Sequence, residues 1–261
     1  MVIAKKSLGQ HWLNDPVALE AIAEMAEIHR TDTVLEIGPG LGSLTRYLVE
    51  QAAHVVAVEF DETLAATLPQ KVDSKKLTVV QADILKFDLN SLPASYKVVA
   101  NIPYYLTSNL LRTLSESNNP PHLMVLLVQK EVAQRICAEP GQMSVLSASV
   151  QLYYDCELGV EVPADKFEPK PKVDSQAVIL RYHTKPLFHD LDTRRFFRIV
   201  KAGFAGRRKK LRGSLAAGLR IPKAQADVLL KTAGIDGGLR AQNLSLGDWY
   251  KLYLAYVDSK Q

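Results

Sequence analysis

The feature that constrains this chain most is a five-residue apolar run, Thr33 to Ile37, that ends in Gly38-Pro39-Gly40-Leu41-Gly42 and passes at Ser43 into a segment with helical spacing through Val49. A run that short, bounded by glycines, reads as a buried strand, and the glycines as a tight turn into a helix. The pattern then repeats. Strand-like segments at 55–59, 77–81, 97–100 and 123–129 are separated by helical stretches near 61–69, 107–117 and 130–138. Alternating β and α at this spacing predicts a mostly parallel sheet covered by helices on both faces, a Rossmann-like α/β fold.

The alternation stops after residue 138. Two later strands, 154–162 and 176–182, are joined by a loop rich in Pro and Lys, which predicts an antiparallel pair closing one edge of the sheet. From Leu191 onward only helices are expected, at 192–204, 208–218, 222–233 and 245–257, with Gly203, Gly206, Gly234, Gly237 and Gly238 as punctuation. His183-Thr-Lys-Pro186 breaks the last strand. We therefore divide the 261 residues into an α/β domain with an N-terminal arm, 1–186, and a small all-helical domain, 187–261. In the arm, Asn14-Asp15-Pro16 supplies a cap and a first-turn proline for a helix running to Ile28.

Composition excludes several classes. A hydrophobic fraction of 47% and a charged fraction of 23% are ordinary for a globular protein and too balanced for a disordered one. Cys137 and Cys156 have no C-x-x-C spacing and read as reduced thiols, with no metal set. The basic N-terminus lacks an apolar stretch behind it, and no apolar run approaches bilayer length, so a cytoplasmic protein is expected. The net charge of +4 is mild, but it is unevenly placed: nine Lys or Arg residues and no acid lie between Arg194 and Arg212. That segment is a candidate for binding a polyanion.

Three features fall at the carboxyl ends of successive strands, the edge where open α/β sheets bind ligands. Gly38, Gly40 and Gly42 let backbone approach a nucleotide closely. Glu59, closing the second strand, is placed to accept from both hydroxyls of a ribose. Asp83, followed by Ile84 after the third strand, can accept from an adenine amine. With no phosphate-binding lysine nearby, this describes a site for an adenosine ligand without polyphosphate. S-adenosylmethionine is the candidate. A nicotinamide dinucleotide is the competitor, disfavoured by G-x-G-x-G spacing in place of G-x-G-x-x-G.

The fourth strand ends in Asn101-Ile102-Pro103-Tyr104. An aryl amine is a poor nucleophile because its lone pair is delocalised into the ring. An enzyme that methylates it must hold both N–H groups so that the lone pair faces the methyl donor. The Asn101 side-chain oxygen and the Pro103 carbonyl can accept them, with Tyr104 stacked on the base. The base has to leave its stack to reach such a pocket.

Over nearly its whole length the chain resembles the ribosomal small-subunit (16S) rRNA adenine N6,N6-dimethyltransferase family. The resemblance is carried, in order, by the segment from Lys6 to Asp15, Glu36-Ile-Gly-Pro-Gly-Leu-Gly42, Val58-Glu59, Gln81-Ala-Asp83, Asn101 to Tyr104, Gln129-Lys-Glu-Val-Ala133 and the segment from Phe167 to Ser175. It implies methylation of two adjacent adenines during small-subunit biogenesis. It implies too that His11 and Leu13 of the arm join Gly38, Glu59, Asp83 and Asn101 around the cofactor, and that Phe167 offers the flipped adenine a second stacking surface. Phe204-Ala-Gly-Arg207-Arg208-Lys209-Lys210-Leu-Arg212 resembles the family's basic segment, which implies contact with RNA phosphates and docking by the C-terminal domain on the ribosomal particle. A monomer suffices for this.

The chain departs from the family pattern at Trp12, where phenylalanine is usual, at Gln242, where an acid is common, and in a short loop between Pro140 and Ser144. The related large-subunit rRNA methyltransferases of macrolide resistance share the N-I-P-Y motif, but the Phe167 to Ser175 loop and the basic segment favour the small-subunit enzyme. Intact Glu59, Asp83 and Asn101 to Tyr104 argue against a non-catalytic RNA-binding descendant. DNA adenine methylases usually carry D-P-P-Y instead.

Overall fold

The computed structural model describes residues 5, 8–206 and 208–259. The chain forms two compact units. One runs to Gln134 and resumes over Tyr154–Tyr182; the other combines Arg135–Tyr153 with the chain from His183 onward.

The first unit opens with a two-residue strand, β1 (Trp12–Leu13), and helix α1 (Pro16–Met25). Asp15 caps α1 by accepting from the Ala18 N–H, and Pro16 occupies the first turn, where a missing N–H costs nothing. The helix stops three residues before the expected Ile28, and Glu27 adopts φ +46. There follow β2 (Thr33–Ile37), α2 (Ser43–Gln51), β3 (His54–Glu59), α3 (Glu62–Lys71), β4 (Leu77–Gln81), β5 (Lys97–Asn101), α4 (Thr107–Ser115), β6 (Leu123–Gln129) and α5 (Lys130–Ile136). Asp61 caps α3 through two N–H groups, those of Thr63 and Leu64.

The seven-stranded sheet has the order β4-β3-β2-β5-β6, parallel throughout, continued by two antiparallel strands, β9 (Ser175–Tyr182) and then β7 (Tyr154–Val162) at the edge. The expected doubly covered sheet with an antiparallel closing pair is what forms. β6 is apolar from Leu123 to Val128 and buried along that length, because helices cover both its faces. Lys97, at the start of β5, is buried at its other end by an ion pair with Asp32 at 2.9 Å and a bond to the Glu27 carbonyl.

Parallel register brings the carboxyl ends of β2, β3 and β5 level: Ile37 pairs with Val58, and Asn101 with Leu127 of β6. The Gly38 N–H continues the ladder to the Val58 carbonyl at 2.9 Å. Sequence patterning did not anticipate the small ribbon in which β1 pairs antiparallel with β8 (Phe167–Glu168), Leu13 opposite Phe167. Two-residue strands carry no periodicity to read. This ribbon ties the N-terminal arm to the segment that follows β7.

The second unit holds α6 (Val145–Gln151), α7 (Thr193–Phe204), α8 (Leu211–Leu219), α9 (Lys223–Thr232) and α10 (Leu246–Asp258). α6 was not expected from the sequence; its Ser144–Ser147 capping box is the local signal for it. The core gathers Phe196, Ile199 and Val200 of α7, Leu215 of α8, Leu229 of α9 and Trp249 and Leu252 of α10. Gln242 makes a structural clasp: its side chain donates to the Gly141 carbonyl at 2.8 Å, and its own carbonyl accepts from the Gly141 and Met143 N–H groups. An acid at this position would lack the Nε2 donor that holds the Gly141 carbonyl.

Candidate active site

A cavity of about 270 Å³ opens at the carboxyl edge of the parallel strands, entirely within the first unit. Its floor is the turn after β2. Gly38, Gly40 and Gly42 have φ of +66, +58 and +84, a region that side-chain-bearing residues avoid. At Gly42 a Cβ would also meet Leu68 at 2.8 Å and Val72 at 2.9 Å, whereas at Gly38 it would meet only open space. Gly42 is required by packing beneath the turn as well as by its φ, whereas Gly38 borders open space on the cavity side.

Glu59 is 6% exposed and accepts from the Gly40 N–H at 3.1 Å and the Asp61 N–H at 2.8 Å, so it braces the glycine turn against β3. Burial raises its pKa from the ordinary carboxylate value, against those two bonds. Asp83 caps the short turn after β4 by accepting from the Leu85 N–H at 3.0 Å, with Ile84 buried beside it.

Glu36, an acid set within the apolar run Thr-Val-Leu-Glu-Ile, is a further residue of the site. It is 2% exposed, lines the cavity, and its Oε2 has no hydrogen-bond partner. Burial pushes its pKa up to about 8. The neighbouring Thr45 hydroxyl, which makes no hydrogen bond of good geometry, offsets only part of this.

The arm forms the opposite wall from Leu8 to Leu13. Besides the β1–β8 ribbon, side-chain bonds fasten it. Lys5 pairs with Asp61 at 2.7 Å, and this cation holds the Asp61 carboxyl below the usual carboxylate range. The His11 ring donates from Nδ1 to the Pro169 carbonyl at 2.6 Å. Asn101 donates from Nδ2 to the His11 carbonyl at 3.0 Å. Trp12 packs over the turn, close enough that a Cβ on Gly40 would lie 3.1 Å from its ring.

Asn101, Pro103 and Tyr104 line the same cavity as His11, Leu13, Gly38, Gly40, Glu59, Asp83 and Ile84. The structure therefore brings together every residue proposed from sequence for the cofactor and three of the four proposed for the reaction. One lone pair of the Pro103 carbonyl is taken by the Leu106 N–H at 2.9 Å, which leaves the other. The Tyr104 hydroxyl is bonded to Ser175 Oγ at 2.9 Å, and its ring stacks on His11 at 6.0 Å between centroids and 22° between planes. Burial raises the Tyr104 pKa above that of a free phenol.

Phe167 is the exception. It is 3% exposed, belongs to the core with Leu13 and Leu19, and does not line the cavity. Its strand pairing with Leu13 turns the ring inward, so as placed it shows no face to a base. Two exposed aromatics stand at the cavity wall instead, Tyr105 at 65% and Phe60 at 58% exposure.

Three acidic residues, Glu36, Glu59 and Asp83, line this cavity, with no Lys or Arg among the described lining residues. A wall with acids and no cation to pair a phosphate suits a neutral or cationic ligand.

In the second unit, Arg194, Arg198 and Lys201 lie exposed on α7, and Arg208, Lys209 and Lys210 are exposed in the turn before α8. Arg212 is engaged with Asp227 of α9 at 2.7 Å. Arg207 lies outside the described residues. No helix among the described residues is long and apolar enough to cross a membrane.

A sequence profile of the family described as "Ribosomal RNA adenine dimethylase" matches residues 1–258. A protein of Dehalococcoides mccartyi named ribosomal RNA small subunit methyltransferase A is 40% identical over 260 residues, covering 98% of this chain and 89% of that protein. One of the same name from Thermosynechococcus vestitus is 43% identical, covering 97% and 96%. Among solved structures, a dimethyladenosine transferase from Plasmodium falciparum superposes with a TM-score of 0.83 at 25% identity, over 96% of this chain and 98% of that one. The 23S rRNA methyltransferase ErmE superposes with a TM-score of 0.76 at 29% identity, over 94% and 98%.

Proposed function

The chain belongs to the ribosomal RNA adenine dimethylase family, and we propose that it methylates the N6 amines of two adjacent adenines in small-subunit (16S) rRNA to N6,N6-dimethyladenosine, using S-adenosylmethionine, during assembly of that subunit. The observation that carries the reading is the joining of two half-sites in one cavity: a nucleoside pocket lined by acids, with no Lys or Arg among its described residues, and the Asn101-Pro103-Tyr104 edge.

The lining fits S-adenosylmethionine on two counts. The unpartnered Glu36 Oε2 is a buried acceptor for a cationic or N–H-bearing ligand, and the space above Gly38 admits a ligand against backbone. Glu59 and Asp83 would take the ribose and adenine, with His11, Leu13, Gly38, Gly40 and Ile84 around them. When bound, this group supplies a sulfonium methyl electrophilic enough to need no metal or strong base.

The chain's own part is positioning. With Nδ2 committed to the arm, Asn101 presents Oδ1 as an acceptor for one adenine N–H, and the second lone pair of the Pro103 carbonyl serves the other. Two acceptors rotate the amine so that its lone pair stands clear of the ring plane. Neither acceptor titrates near neutral pH, so the proton released on methylation leaves to solvent. Tyr104 supplies the ring face.

The small subunit is favoured over the large because the relatives at about 40% identity carry the small-subunit name, while the 23S enzyme stands at 29%. Arg208, Lys209 and Lys210 of the helical unit would bind RNA phosphates, with Arg207 assigned the same role from sequence. We place the protein in the cytoplasm, acting as a monomer on the small-subunit particle.

Methyl transfer from labelled S-adenosylmethionine to purified unmethylated small and large subunits, followed by nucleoside mass spectrometry, tests this. Dimethyladenosine from small subunits alone is the expected result. Product on large-subunit RNA would move the protein to the resistance branch, and none on either would make it a binding protein.

A further inference from the structure

We propose that Ser175 is a positioning residue for methyl transfer: its hydroxyl pins the phenol of Tyr104 and thereby sets the plane in which the target adenine is held. This rests on the reading of Tyr104 as the stacking surface. The two oxygens are 2.9 Å apart although the residues are 71 positions apart in the chain. Ser175 is 0% exposed, and its backbone is held on both sides, paired with Gln129 of β6 and Val162 of β7. It is therefore a fixed post.

Tyr104 is less constrained by its own backbone. It sits in a single 3-10 turn that leaves the end of β5, secured by the Leu106 N–H to the Pro103 carbonyl and by Thr107 Oγ1 donating to the Tyr104 carbonyl at 3.1 Å. A tyrosine side chain has two torsions, and tying its far oxygen to a sheet residue removes the freedom of both. His11 then backs the ring. The Ser175 oxygen is shut off from solvent, so water cannot replace the bond when the Tyr104 hydroxyl is removed. With its hydroxyl so engaged, Tyr104 acts through its ring face and takes no part in proton transfer.

The test is a double-mutant cycle on single-turnover methyl transfer to unmethylated small subunits at saturating S-adenosylmethionine, with cofactor affinity measured by calorimetry. Ser175→Ala and Tyr104→Phe should each slow transfer about tenfold, the worth of one buried hydrogen bond. Cofactor affinity should stay within about twofold for both, and the double variant should be no slower than the slower single. Ser175→Cys refills the space left by alanine with a somewhat larger, weakly hydrogen-bonding group and should slow transfer at least as much as alanine does.

Wild-type rates in Ser175→Ala, a full rate in Ser175→Cys, or single effects that multiply to about a hundredfold would each overturn the proposal. If the unaltered protein methylates large-subunit RNA instead, the assignment of substrate falls while the cycle is still read on that RNA. No transfer to either subunit overturns both.

Discussion

Asn101 donates its side-chain N–H to the backbone carbonyl of His11 at 3.0 Å, which settles which way round the amide stands. Its nitrogen is committed to the arm, so its oxygen faces the cavity. The residue proposed to hold the substrate amine is thus oriented by a segment 90 positions away.

Replacing Asn101 with alanine removes an acceptor for the substrate amine and one tether of the arm. Single-turnover transfer should fall by about two to three orders of magnitude, as for loss of one preorganised transition-state contact. S-adenosylmethionine affinity should weaken only a few-fold, because the pocket formed by Gly38, Glu59 and Asp83 is untouched. Equal losses in rate and cofactor affinity would place Asn101 chiefly in cofactor binding.

Gly42→Ala and Gly38→Ala share a left-handed backbone but differ in surroundings. At Gly42 the new Cβ collides with Leu68 and Val72, and together with backbone strain of about 1–2 kcal/mol this should lower stability by about 2–4 kcal/mol. At Gly38 only the strain applies, but the methyl projects into the cavity. Chemical denaturation should single out Gly42→Ala, and cofactor titration should single out Gly38→Ala.

Glu36 ionises near its ordinary value of 4.5 in the unfolded chain but near 8 in the folded protein. Between those values the folded state binds more protons, so stability should fall as pH rises from about 5 to about 8, by on the order of a few kcal/mol. Glu36→Gln should flatten that slope, as followed by denaturation across the range. A cationic ligand favours the carboxylate, so cofactor binding at pH 7 should release a proton in the unaltered protein. Calorimetry in buffers of different ionisation enthalpy would detect it, and the glutamine variant should show none.

Charge removal at Arg208, Lys209 and Lys210 together should weaken binding to small-subunit particles. It should also reduce the slope of log affinity against log salt by roughly two to three, about 0.7–0.9 per phosphate contact. Transfer at saturating particle concentration should be retained. Arg212→Ala is a contrasting case, because its pairing with Asp227 at 2.7 Å diverts it from phosphate.

Phe167→Ala should behave as a core truncation, costing about 3–5 kcal/mol in denaturation, while Phe167→Leu keeps transfer near the native rate. A large rate loss in the stable leucine variant would restore a stacking role.

The sheet was legible in the sequence because buried parallel strands must be apolar runs and because the turns into α2 and α3 carry a glycine and a capping aspartate. The same logic placed Gly38, Glu59, Asp83 and Asn101 on one edge, since parallel strands bring all their carboxyl ends to the same side. Tertiary structure alone decided contacts made across long stretches of chain. Nothing local in Trp12-Leu13 or Phe167-Glu168 predicts that they pair, yet that ribbon seats His11 beside Asn101 and turns Phe167 into the core. Nor does the spacing of Glu36 reveal that its strand is covered on both sides, which is what raises its pKa. Periodicity and turn chemistry are written in neighbouring residues, whereas burial and the pairing of distant polar atoms exist only once the chain has closed on itself.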